Sequence, residues 1–189
     1  MPRTRQEMDR ESKVDEILDA AVSRLDEGGY EALSVAGIAR ELGVAQNAIY
    51  WYFPSRDHLF VAALERMLRN ILGRKPPRQR TLERKVLWFV DQLQEIEPVR
   101  AAMYERARTS PVVAEFADEL NRTWRRMLTN VLAERMEEPD LTAAVDALIA
   151  TIQGAFFQPM SAAARRRLVA FALDRLVPGG GPQDVTDRA

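Results

Sequence analysis

Gln46 and Asn47 stand a few residues ahead of an unbroken aromatic run, Tyr50, Trp51, Tyr52 and Phe53, on a segment too short to fill a core. The two amides can each pair bidentately with N6 and N7 of adenine in a major groove, worth roughly 1–3 kcal/mol of discrimination per good pair. A tyrosine O–H and an indole N–H can donate to phosphate oxygens. On a helix, Ile49, Tyr52 and Phe53 share one side, at offsets of three and four, while Tyr50 and Trp51 point elsewhere. This pattern predicts Tyr52 and Phe53 as anchors to a small core and Tyr50 and Trp51 as outward, amphipathic groups. A rival account buries all four rings. It fits poorly, because a small three-helix domain has no room to bury both faces of that helix. Gln46 and Asn47 likewise have a bland alternative, as solvated surface at a helix start.

Such a reading helix needs elements to hold it. In "IARELGVAQNAIYWYFPS", Ile38 to Ser55, Ala39 is small enough for close helix packing. Gly43, four residues on, suits the positive φ of a sharp turn, and Ile49 fixes the second helix to a core. Ile38, Leu42 and Val44 supply buried flanks. Upstream, Val14, Ile17, Leu18, Ala21, Val22 and Leu25 form one face of a first helix, and Gly28 and Gly29 permit a left-handed cap that stops it. Ser34 is an N-cap for the second helix. After Pro54, Ser55 and Asp57 start a fourth helix with Leu59, Phe60, Ala63, Leu64, Met67, Leu68 and Ile71 inward. Further phosphate contacts are expected from Ser34, Arg40 and Arg56. Arg3, Arg5 and Arg10 suit a mobile arm following a groove.

With those residues in place, the stretch from Ile17 to Leu64 resembles the TetR family of transcriptional regulators. The resemblance is carried by "ILDAA", "GGYEALSV", "IARELGV" and "YWYFPSRDHL". It implies an N-terminal helix-turn-helix in which Ala45, Gln46 and Asn47 read bases while Tyr50 and Trp51 clamp the backbone. Where this sequence has Ala45, Gln46, Asn47 and Ala48, the family often has Ser, Lys, Gly and Thr. One cation and two hydroxyls are thereby lost, and the site read by other members cannot be carried over. The resemblance further implies a homodimer on a palindromic operator, and a repressor released by a small, mostly apolar effector.

The remainder reads as helix throughout. "GRKPPRQR", Gly73 to Arg80, is the clearest break, since paired prolines end a helix. The expected organisation is an arm and helix-turn-helix domain over 1–55, a connecting helix over 56–72, a helical effector and dimerisation domain over 73–178, and a tail over 179–189. The fold class is all-α, with about nine helices. A long helix opening at Ser110 and Pro111 is expected to run through Met136, with Val113, Phe116, Leu120, Trp124, Met127 and Val131 on one face. Asp140 is expected to cap the next helix and Ser161 the last.

The helix from Leu141 to Gln158 has two useful faces. Leu141, Val145, Leu148, Ile152 and Phe156 suit the protomer core. Ala143, Ala147, Ala150 and Gly154 lie about 200° round the helix and let another helix approach closely. With Leu168 and Phe171 of the last helix this resembles the family's dimer interface, although the same stripe could pack within the chain. Trp88, Gln92, Met103, Tyr104, Phe116, Trp124, Met127, Gln153 and Phe157 are candidates for an adaptable effector pocket or for ordinary core.

Composition limits the alternatives. Of 189 residues, 47% are apolar and 29% charged, with a net charge of −1, so any polyanion must meet a local patch. Residues 1–72 hold nine Lys/Arg against twelve Asp/Glu, so that domain has no basic excess. No cysteine is present, and His58 is the one histidine, expected to be exposed and without a role. A thiolate or multi-histidine metal site is excluded, and no cofactor is expected. An enzyme is disfavoured: no nucleotide loop or carboxylate–histidine cluster appears. No apolar run approaches the roughly 18 residues of a membrane span and no signal peptide is evident, so a cytoplasmic protein is expected. A helical interaction module, or a ligand-independent regulator, is the alternative on the same fold.

Overall fold

The computed structural model describes residues 5–74 and 81–178, with side chains from Arg10 onward within those spans. Arg3, the connector residues 75–80 and the tail 179–189 lie outside the described residues, as does the side chain of Arg5. Among the described residues there are nine helices and no strand. They are α1 (Arg5–Ala32), α2 (Val35–Glu41), α3 (Gln46–Tyr52), α4 (Arg56–Gly73), α5 (Leu82–Glu95), α6 (Glu97–Ala107), α7 (Pro111–Leu132), α8 (Asp140–Phe157) and α9 (Ala162–Leu176).

The chain divides into two compact units, one drawn from 1–74 with 98–117, the other from 75–97 with 118–189. The sequence reading had put all of 73–178 in one domain. Residues 98–117 instead pack with the N-terminal helices, where Arg106 donates to the Asp57 carboxylate at 2.8 Å.

In the first unit α1 packs on α4. Ile17, Ala21 and Leu25 of α1 meet a core completed by Ile38, Ile49, Leu59, Phe60 and Leu64, all essentially inaccessible to solvent. Removing such side chains from water is what holds these four helices together, at about 1.5–3 kcal/mol for each large one. Helical geometry in α1 breaks at Gly28 (φ −154°, ψ 22°) and Gly29 (φ 64°, ψ −158°). The sequence expected a left-handed helical cap there. Gly29 does take a positive φ, but its ψ is extended, so the chain kinks and resumes for one short turn.

The turn after α2 is a Schellman motif. Gly43 sits at φ 64°, Gly43 N–H bonds the Arg40 carbonyl at 3.3 Å, and Val44 N–H bonds the Ala39 carbonyl at 3.0 Å. A side chain at Gly43 would strain that left-handed backbone.

In the second unit α8 packs on α9 and α5 on α9. Val90, Leu132, Val145, Leu148, Val169 and Leu173 are buried there. Two boundaries differ from expectation. Helix α7 stops at Leu132, so Met136 lies beyond it, and Met127 and Val131 are exposed rather than inward. Pro139, after a cis peptide bond, occupies the N-cap of α8, leaving Asp140 in the first turn. Helix α8 is also 18 residues long with a mean hydropathy of 1.3, which is long and apolar enough to cross a membrane by length and composition alone. The expectation concerned an unbroken apolar run, and in α8 that run is interrupted by Asp140, Thr142, Asp146, Thr151 and Gln153.

Candidate nucleic-acid interface

Ile49 is fully buried and Phe53 nearly so, which pins α3 to the core through one side. Ala45, Gln46, Asn47 and Ala48 are all exposed. Tyr50 and Trp51 are 37% and 67% exposed, while Tyr52 is half-buried. Burial of all four rings is thereby ruled out. Gln46 Nε2 donates to Tyr50 Oη at 3.3 Å, one helical turn on, which aligns the amide with the phenol. The Trp51 ring meets the Tyr52 ring edge-on at 4.8 Å. Exposed amides, a phenol and an indole N–H therefore share one small surface.

Ser34 caps α2, its Oγ accepting from Gly37 N–H at 3.1 Å. The hydroxyl hydrogen stays available to donate outward. Arg40 is exposed. Arg24, which pairs with Glu41 at 2.9 Å, ties α1 to α2. Arg56 differs from the sequence expectation of a phosphate contact. Its guanidinium donates to the Tyr30 carbonyl, stacks on the Tyr30 ring at 4.0 Å and lies 3.8 Å from Glu31. The aromatic face and the carbonyl draw it inward, away from the α3 surface group. Arg10 is part of helix α1, not of a mobile arm, and its guanidinium lies 5.0 Å from the centroid of Trp51. His58 is exposed, and its N–H bonds the Ser55 cap at 3.3 Å.

By local pattern Asp57 reads only as an acid at a helix start. In the structure Asp57 is the centre of a polar joint. Tyr30 Oη donates to it at 2.6 Å, Arg106 Nη2 donates at 2.8 Å, and Ser110 bonds it as well. Burial pushes the Asp57 carboxyl up, but the Arg106, Tyr30 and Ser110 hydrogen bonds and the Arg106 charge outweigh it and hold the carboxyl at about 2. Burial, then the bond to Asp57, raises the Tyr30 phenol. No local pattern announces this joint, because its members are separated by up to 80 positions in the sequence.

Comparison with known proteins agrees with this geometry. Residues 17–63 match the family of bacterial regulatory proteins described as the tetR family. That segment, about a quarter of the chain, is what matches the family. It is 32% identical over 124 residues to the HTH-type transcriptional repressor KstR of Rhodococcus jostii, covering 60% of this chain and 58% of that one. The KstR of Mycolicibacterium smegmatis is 44% identical over 55 residues, covering 29% and 27%. The chain thus spans less than two thirds of the length of the curated relatives it matches. Among solved structures, a transcriptional regulator from Rhodococcus sp. Rha1 superposes with a TM-score of 0.71 at 24% identity, over 86% of this chain and 95% of that one. A regulator from Saccharomonospora viridis in complex with choline gives 0.71 at 16%, over 88% and 98%. These likenesses show the TetR fold.

In the second unit, Leu141, Ala144, Val145, Leu148, Ala155 and Phe156 form the buried side of α8. Ala143, Ala150 and Gly154 are exposed, Ala147 is half-buried, and a Cβ added to Gly154 would meet nothing within 4 Å. Beside them Phe171, Phe157 and Leu168 are 61%, 60% and 39% exposed. Among the described residues, three of the four members of the small-residue stripe are left exposed.

The expected effector residues are drawn from both units. Met103, Tyr104 and Phe116 fall in the first unit, with Met103 buried in the core. Trp88, Gln92, Trp124 and Gln153 fall in the second and are half-buried. Trp124 meets Phe89 edge-on at 4.8 Å, and Gln153 Nε2 donates to Asn121 Oδ1 at 3.0 Å. Met127 and Phe157 stand at the surface, so neither lines an interior pocket of this unit. A groove of about 560 Å³ runs instead beside Met136, Asp140, Ala143, Ala147, Arg175 and Val177, touching none of the expected effector residues.

Proposed function

We propose that this protein is a sequence-specific DNA-binding transcriptional regulator that acts as a homodimeric repressor. The observation that carries the reading is the α3 surface: Gln46, Asn47, Tyr50 and Trp51 exposed together on a helix fixed from behind by Ile49 and Phe53. Gln46 and Asn47 enter the major groove and read base edges, while Tyr50, Trp51, Ser34 and Arg40 hold phosphates. Ala45 packs against the groove floor. With no basic excess in the head, binding depends on a few placed contacts and weakens steeply with salt.

Dimerisation is supported by the bare hydrocarbon of α8 and α9. Phe157, Leu168 and Phe171 flank a stripe of small residues that admits a second helix closely, and a two-fold copy of the same patch covers both. Two heads then read half-sites spaced by about 34–36 Å, one turn of duplex. The relatives' description as repressors supports repression. A small, mostly apolar effector acts by linkage: it favours an arrangement whose head spacing no longer fits the operator, so effector and DNA weaken each other reciprocally. A solved protein of this fold holds choline, which supports a small-molecule site in the fold. The protein works where the chromosome is, in the cytoplasm. A ligand-independent regulator on the same fold is the second reading; the chain is also 31% identical over 107 residues to the nucleoid occlusion factor SlmA of Haemophilus influenzae, whose name is not that of a repressor.

Selection of duplexes from a random pool, followed by anisotropy titration, tests the function. A recovered palindrome and a salt-sensitive complex support the reading. A protein that enriches no sequence, or binds all duplexes equally, overturns it. Titrating compounds against that complex then separates the two regulators, since only one loses its DNA.

A further inference from the structure

We propose that Arg10 and Trp51 form a composite phosphate clamp, so that helix α1 extends the DNA-contacting surface beyond the helix-turn-helix. This rests on the DNA-binding reading above. Arg10 and Trp51 are 41 positions apart, yet the guanidinium lies 5.0 Å from the indole centroid. Trp51 is 67% exposed and Arg10 is exposed too, so the pair stands at the surface, outside the core. The Trp51 ring is braced in turn by the edge of the Tyr52 ring at 4.8 Å.

The chemistry of the stack decides what it can do. A guanidinium over an indole is held by the ring's quadrupole, which occupies none of its N–H donors as a carboxylate would, so they can make bidentate contact with phosphate. Four other arginines of this unit are already paired. Arg24 pairs with Glu41, Arg66 with Asp15 and Asp19, Arg106 with Asp57, and Arg56 with the Tyr30 carbonyl. Arg10 has no carboxylate partner among the described residues, and the aromatic ring holds it without neutralising it. Its position is also suited. Asn47 and Trp51 are one turn apart on α3 and share a side of it, so Arg10 is the next group outward from a base-reading amide. A strand whose bases meet Asn47 would present a flanking phosphate to the indole N–H and to the guanidinium together. In a head with no basic excess, one pre-positioned cation is a large share of the phosphate contacts.

The test is a double-mutant cycle on the full chain, with the duplex that the wild-type protein selects from a random pool. Arg10→Ala is expected to weaken binding about 5- to 10-fold near physiological salt and to flatten the salt dependence by about 0.9 per arginine removed. Trp51→Ala is expected to weaken binding further. In that background Arg10→Ala should cost less than about 2-fold, because the unstacked cation is no longer placed. Both side chains are exposed, so melting temperatures should hold and confirm that the variants fold. Unchanged affinity and salt slope in Arg10→Ala would overturn the clamp. So would multiplicative, independent losses, which would make Arg10 a separate contact. In either case wild-type binding and its loss in Asn47→Ala leave the DNA-reading function standing. If the wild-type protein selects no duplex, that function fails first and the clamp fails with it.

Discussion

Two surfaces of this protein leave large side chains in water, and they do so differently. On α3 the exposed rings are Tyr50 and Trp51, each with a hydrogen-bond donor, set among two amides and beside a guanidinium. On α8 and α9 they are Phe157, Phe171 and Leu168, pure hydrocarbon, set among alanines and Gly154. The first surface suits a hydrated polyanion, where donors matter and apolar burial is small. The second suits another protein surface of the same kind, where burial supplies the free energy and small residues permit close approach. Equal exposure thus means different partners, and the polar atoms carried by the rings tell them apart.

The largest expected effect breaks the hydrocarbon side. In the proposed dimer, Phe171→Asp would place a charge at both copies of a two-fold patch and remove two rings buried there, about 3–6 kcal/mol in all. Light scattering should then find a monomer at concentrations where the wild type is a dimer, and operator binding should fall with it. Gly154→Leu sharpens the point. Its added side chain has open space in the protomer, so unfolding of the monomer should be unaffected while the dimer dissociates. A Gly154→Leu protein as dimeric as the wild type would move the interface elsewhere.

Next comes the polar surface. Asn47→Ala should cost about 1–3 kcal/mol per half-site and relax the preference at one base pair, without changing the melting temperature. Selection with the variant should return sequences degenerate at that position. A uniform loss across all sequences would reassign Asn47 to the backbone.

The Asp57 joint is expected to matter for stability, at about 2 kcal/mol. Its carboxyl is held at about 2 in the folded chain against an ordinary value of 3.8. A depressed acid stabilises the fold above its unfolded value, and that contribution is lost as pH falls from roughly 4 toward 2. Asp57→Asn should therefore be less stable than wild type at pH 7, with the gap closing in that acidic window. Urea midpoints at several pH values would show it, and a gap that does not change with pH would refute the assignment. The smallest expected effect is Trp51→Phe, which keeps a ring but loses the indole N–H. Roughly one hydrogen bond of about 1 kcal/mol should disappear from DNA binding, with no change in stability because the ring is largely solvated.

Local pattern by itself determined much of this protein. The spacing of Ala39, Gly43 and Ile49 marked the helix-turn-helix, because a Schellman turn and a buried knob each demand a particular residue type at a particular offset. The period of apolar residues likewise marked nine helices and separated the buried and bare sides of α8. What only the tertiary structure decided involves residues far apart in the chain. Asp57 looked like a helix-start acid until Tyr30, Arg106 and Ser110 converged on it. Arg56 looked like a phosphate ligand until the Tyr30 ring and carbonyl took it. Arg10 looked like part of a loose arm until it settled on Trp51. Helix periodicity is a short-range property written within a few residues, whereas the partner of a charged side chain is set by packing, and packing brings together residues that no sequence window contains.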